Sequence, residues 1–97
     1  MITLSWTERA QNDLAAIHAF IGRDSPHFAS VVVRRIISAV DRLCDFPESG
    51  RAVPEFADPS VREVIQQPYR IVYRLVSEHE IHVLTVHHGA QVFPEEI

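Results

Sequence analysis

Apolar and polar residues alternate along three stretches of the second half of this chain, and they repeat at helical spacing in the first half. Ile2 to Trp6 alternates and predicts a short first strand. Ala10, Leu14, Ile17 and Ile21 recur every three to four positions and predict a helix, with Ser5 and Glu8 together, or Thr7 alone, as its cap. Gly22 ends that run. Ser25 and Pro26 open a second helix, whose stripe is Val32, Val33, Ile36, Ile37, Val40 and Leu43. Pro47 stops it, and the two helices form a hairpin. Glu48 to Pro59 predicts a loop long enough to be functional. Val61–Gln66, Tyr69–Val76 and Ile81 to His87 or His88 predict three strands joined by short turns, hence antiparallel.

The expected fold is α+β: an N-terminal strand, then an α-helical hairpin packed on an antiparallel sheet, in the order β-α-α-β-β-β, over one domain of residues 1–97. With no further helix, the sheet's second face is left solvated or covered by a partner. The segment Tyr69-Arg70-Ile71-Val72-Tyr73-Arg74 puts Tyr69, Ile71 and Tyr73 on one face and Arg70, Val72 and Arg74 on the other. If Val76 pairs with Ile81, then Arg74 faces Val83, Val72 faces Thr85 and Arg70 faces His87. A single bulge would exchange His87 for His88. Leu75, Tyr73, Ile71, Leu84 and Val86 then form the core side. Whether Arg62 or Glu63 turns inward is left open, because Val64 and Ile65 are both apolar. The tail from Gln91, acidic at its end, is expected to be mobile.

Charge narrows the chemistry. All nine basic residues are arginines, so no lysine can act as a base or form a Schiff base; the formal net charge is −4. An acidic whole-domain balance favours protein partners over nucleic acid. The one cysteine, Cys44, excludes an internal disulfide and is expected to be a buried helix residue in a reducing compartment. No apolar run is long enough for a membrane span and the N-terminus lacks a signal-peptide pattern, which predicts a cytoplasmic protein without membrane contact. His79, His82, His87 and His88 do not make a metal set: adjacent strand residues face opposite ways, and no Cys completes the ligands. No metal and no cofactor is expected. Arg70 and Arg74 have a plain alternative reading, ion pairs with Glu63, Glu80 or Asp58. Tyr69, Tyr73 and Trp6 read as packing residues.

The order of these elements resembles the ParE/RelE superfamily of bacterial type II toxins. The residues that carry the resemblance are Trp6, Ala10 and Asp13-Leu14, then Pro47-Glu48-Ser49-Gly50-Arg51, Val61-Arg62-Glu63, Tyr69 to Arg74, and His87-His88-Gly89-Ala90. Membership implies a toxin held inactive by a cognate antitoxin, ParD-like or of another type, that folds on binding. RelE-like members cut messenger RNA on the ribosome. For that chemistry this chain offers Arg70, with Arg51, Arg62 and Arg74 as further cations and His87 or His88 as acid or base. ParE-like members instead poison DNA gyrase by protein contact, with no enzymatic activity ascribed to them. The absence of lysine, the net negative charge, and Gln91 and Phe93 where a nuclease often has Arg and Tyr favour the gyrase reading. The expected partner surface comprises Arg62, Arg70, Val72, Arg74, Val83 and His87.

Overall fold

The structure, a computed structural model, describes residues 1–96. Its elements are β1 (Thr3–Trp6), α1 (Glu8–Gly22), α2 (Pro26–Asp41), β2 (Arg51–Ala52), β3 (Val61–Gln66), β4 (Tyr69–Ser77) and β5 (Glu80–His88), with a 3-10 turn at Arg42–Cys44 after α2. This is the expected α+β order, with a two-residue strand added inside the predicted loop. The sheet runs β1-β5-β4-β3-β2. The last four strands are antiparallel to their neighbours, whereas β1 joins the edge parallel to β5, so the sheet is mixed.

Each helix starts where a side chain can take an orphan N–H. Thr7 Oγ1 accepts from Ala10 N at 3.1 Å and donates to the Val83 carbonyl at 2.9 Å, so one hydroxyl both caps α1 and ties it to β5. Ser25 Oγ accepts from Phe28 N at 3.1 Å, and Pro26 occupies the first turn of α2. Ile36, Ala39 and Val40 of α2 and Ala10 of α1 pack on Ile71, Val83 and Val86. Burying a side chain such as Ile36 contributes about 1.5–3 kcal/mol. Leu43, Tyr73 and Ile81 continue this core at the other end of the sheet. Trp6 packs against it, partly buried, as a plug where β1 meets α1.

The expected register holds at Arg70↔His87 and Val72↔Thr85. It fails between them and the turn, where Arg74 faces His82 rather than Val83, and Leu75 rather than Val76 faces Ile81. Val76 is an extra residue on β4 and Leu84 an extra residue on β5, and the two offsets cancel. The slip moves Val83 onto the helix side, fully buried, and sends Leu84 to the opposite face beside Val72. Cys44 is also corrected: it is exposed, because the chain leaves the α2 stripe in the 3-10 turn after Leu43.

The second face is not bare. Val53 of the long loop, Val61 and Val72 form a small buried cluster there, joined by Phe56, Leu84 and Phe93. The loop and the tail of the same chain therefore cover a face that was expected to be solvated or to await a partner. The tail folds back rather than trailing: besides Phe93 in this cluster, the Glu96 carbonyl accepts from Arg9 Nη1 at 2.6 Å.

Candidate functional site

The open question at Arg62 and Glu63 has a definite outcome. Arg62 lies opposite Tyr73 and Glu63 opposite Val72, so Arg62 belongs to the helix side and Glu63 to the Arg70 side. Arg62 Nη1 donates to the carbonyls of Glu48 and Gly50, at 2.9 and 3.0 Å. It holds the start of the long loop and stands apart from the other arginines. Tyr73 holds the same loop from the core: its hydroxyl donates to the Pro47 carbonyl and accepts from Gly50 N, both at 2.9 Å. Only glycine fits at position 50, because a Cβ there would lie 2.4 Å from the Tyr73 hydroxyl.

With the loop anchored, Arg51, Glu55, Glu63 and Arg70 meet on one face. Glu63 is buried and accepts from Arg51 Nε at 2.8 Å and from Arg70 Nε at 2.7 Å. Arg70 reaches onward to Glu55 through two parallel bonds, Nη1 at 2.8 Å and Nη2 at 2.7 Å, and Nη2 also lies 3.3 Å from Glu63 Oε2. The flat guanidinium is then covered by the Phe93 ring, 4.3 Å from its centroid. Two arginines face two carboxylates, so the cluster carries no net charge. The hydrogen bonds from Arg70 hold the Glu55 carboxyl down at about 2 and, with those to Glu63, hold the arginine firmly protonated.

Arg74 stands further along the same face, bonded to Asp58 Oδ2 at 2.9 Å and to Ser60 Oγ at 3.0 Å. Asp58 is held below the usual carboxylate range first by the Ser60 hydroxyl and backbone, then by Arg74. The ion-pair reading of Arg70 and Arg74 is therefore what the structure contains, with Glu63 and Asp58 as partners. Glu80 turns instead to His82, Nε2 to Oε2 at 2.7 Å.

The remaining residues of the expected surface separate. His87 is on the Arg70 face, its Nε2 3.1 Å from the Gln91 carbonyl and its ring against Phe93. His88 turns the other way, against Tyr69, with Nδ1 accepting from Ala90 N. Val72 is buried beneath Val53 and Phe93, and Val83 is buried on the helix side, so neither presents a surface. The clustered set is thus Arg51, Arg70, Arg74 and His87, without Arg62, His88, Val72 or Val83.

Two members of the site escaped sequence reasoning. Glu55 read as a loop residue, in the ParE-like run Gly50 to Glu55, without a partner; its one local structural signal is Pro54, second in a tight turn closed by Phe56 N to the Val53 carbonyl at 3.1 Å. Phe93 read as a departure from a nuclease tail, and nothing nearby in sequence predicts that it stacks on Arg70.

Residues 4–93 match the family model described as the ParE toxin of the type II toxin–antitoxin system parDE. Toxin RelE2 of Caulobacter vibrioides is 33% identical over 92 residues, covering 95% of this chain and all of that protein. The putative toxin Y4kP of Sinorhizobium fredii is 39% identical over 94 residues, covering 95% of this chain and 93% of its own. A solved structure, the chromosomal ParDE system of P. aeruginosa, superposes with a TM-score of 0.73 at 28% identity, covering 91% of this chain and 96% of that one. The chain, with its strand–hairpin–sheet order and its Tyr-Arg central strand, belongs to the ParE toxin family of type II toxin–antitoxin systems.

Proposed function

We propose that this toxin acts by protein contact, inhibiting DNA gyrase without cleaving RNA, and that a cognate ParD-like antitoxin neutralises it. One observation carries the choice of contact over cleavage: the guanidinium of Arg70 is already filled. Its three nitrogens make four hydrogen bonds to Glu55 and Glu63, and Phe93 covers one face. A ribonuclease needs free cations where charge develops on the scissile phosphate. A phosphate approaching here meets a neutral cluster and must displace a bidentate carboxylate. Arg74 is paired with Asp58, and Arg62 serves the loop on the other side of the sheet. Kinship with the ParE family supports gyrase as the target, and membership of a two-component system supports the antitoxin. The side chains of this face left for partner contact are Arg51, Arg74 and His87.

One feature favours RNA cleavage instead: His87 stands directly opposite Arg70 in the strand register, an acid–base group beside a cation. Inducing the toxin without its antitoxin separates the two. The expected result is gyrase-dependent DNA breakage and loss of supercoiling with intact messenger RNA. Cleaved translated messages with undamaged DNA, and protection of those messages by His87→Ala, would overturn the proposal.

A further inference from the structure

Three of the nine arginines have no partner at all among the described residues: Arg34 and Arg35 on α2, and Arg42 at the start of the 3-10 turn that continues it. Arg51, Arg70 and Arg74 are ion-paired, Arg9 and Arg62 donate to carbonyls, and Arg23 lies over the Phe20 ring. Arg34, Arg35 and Arg42 do none of these things. Among the described residues no carboxylate lies within 4.0 Å of them, nearby Asp41 included. Positions 34, 38 and 42 advance by about 100° per residue around the helix, so Arg34, Ser38 and Arg42 share a face, and Arg35 lies within the same quarter-turn or so. Together with Val31 and Gln66 they line a shallow hollow of about 390 Å³.

The hollow does not end at the arginines. Arg35 and Gln66 also line a second hollow of about 270 Å³, walled by Ile21, Phe28, Val32 and Pro68. Phe28 is 50% exposed there. One groove therefore runs along α2 beside the β3–β4 turn, cationic at one end and apolar at the other. It lies on the helix side of the sheet, away from the Arg70 cluster, so a partner covering Arg70 leaves it open.

We propose that this groove is a second docking surface, and that its occupant is an acidic amphipathic segment of a partner protein. Charge selects an anionic partner, because three unpaired guanidinium groups stand on a chain of net charge −4. The apolar end selects a protein segment over a nucleic-acid duplex, whose phosphate surface has nothing to place against Phe28 and Val32, and the acidic whole-chain balance speaks against single strands. Spacing fits as well. Arg34 and Arg42 are about 12 Å apart along the helix axis, and carboxylates eight residues apart on a facing helix are separated by the same rise.

The test uses the whole toxin and a fluorescent synthetic helical peptide, about 14 residues long, with glutamates one turn apart and leucines on the adjoining face. The expected result is binding that weakens at least about tenfold with Arg34→Glu/Arg42→Glu and several-fold with Phe28→Ala. Circular dichroism melting checks that these exposed substitutions leave the fold intact, and Arg34→Gln/Arg42→Gln is the milder variant if it does not. The same peptide with glutamine for glutamate is expected to bind poorly. The proposal is overturned if the peptide fails to bind or if the arginine substitutions leave its affinity unchanged. It is equally overturned if duplex DNA or RNA binds the stripe more tightly than the peptide, or if sedimentation shows the groove buried against a second copy of the chain.

Discussion

Arg70 Nε and Glu63 Oε1 stand 2.7 Å apart across β4 and β3, and the carboxylate of that pair has no exposed side-chain surface at all. The arginine is itself only 14% exposed. A buried ion pair contributes little net stability, but removing one partner strands the other charge. Arg70→Ala is therefore expected to destabilise the fold by about 3 kcal/mol, the low end of the usual range because Arg51 still reaches Glu63. Urea denaturation measures this. Replacing both partners, Arg70→Met with Glu63→Leu, is expected to recover most of the loss. If the single variant melts like the parent, the pair is not structural, and loss of toxicity in that variant would then report directly on function.

Gly50 and Tyr73 give a second measurable relationship. A Cβ at position 50 would meet Tyr73 Oη at 2.4 Å, Tyr73 Cε1 at 2.7 Å and the Glu63 carbonyl at 2.8 Å. None of these can retreat easily, because Tyr73 is buried and the carbonyl belongs to β3. Gly50→Ala is expected to cost about 1–3 kcal/mol, a fall in melting temperature of several degrees or more for a domain this size. Tyr73→Phe is expected to cost a similar amount, through the stranded Gly50 N–H and Pro47 carbonyl. An alanine variant as stable as the parent would mean that the loop is free to move off the sheet.

The sequence carried the element order, the helix caps and the pairing of Arg70 with His87, because each rests on a local rule of spacing or on a short turn. It misplaced Val83 and Leu84 for a physical reason: alternation is strict only while the ladder is regular, and extra residues at Val76 and Leu84 flip the faces between them. That Arg70 nonetheless met His87 reflects two offsets that cancel. The site was half legible. Glu63 was readable as a cross-strand partner and Asp58 as a carboxylate just ahead of β3, whereas Glu55, Phe56 and Phe93 reach the sheet from deeper in the loop and from the tail, and no periodicity ties such segments to it. Cys44 shows the same limit: its exposure depends on where α2 tightens into a 3-10 turn.

Asp13 offers a third test, at the other edge of the sheet. β1 pairs with β5 only as far as Trp6↔Val83. Beyond it the backbone of β5 has no strand partner on that side, and Asp13 of α1 supplies one: its Oδ2 accepts from Val86 N at 3.1 Å and from the Thr85 hydroxyl. Thr85 is buried. Asp13→Ala is expected to cost about 1–3 kcal/mol and to raise amide exchange at Val86 selectively. Global destabilisation without a local change at Val86 would show that the carboxylate acts elsewhere.

The Glu55–Arg70 contact predicts a specific dependence on pH. Hydrogen bonds from Arg70 lower the Glu55 carboxyl from its ordinary 4.5 to about 2. A carboxylate whose value is lowered by folding contributes stability that is fully present above its ordinary value and is lost as pH falls through the folded one. The advantage of the parent over Glu55→Gln should therefore be constant from neutral pH down to near 5, then shrink between 4.5 and 2. Its size is limited, because the Glu55 side chain is 39% exposed and solvent screening keeps such pairs to about 1 kcal/mol or less. Urea unfolding of both proteins across that range measures the difference. A gap that stays the same down to pH 2 would mean that Glu55 does not hold Arg70 in solution, and the filled guanidinium that speaks against RNA cleavage would lose its support.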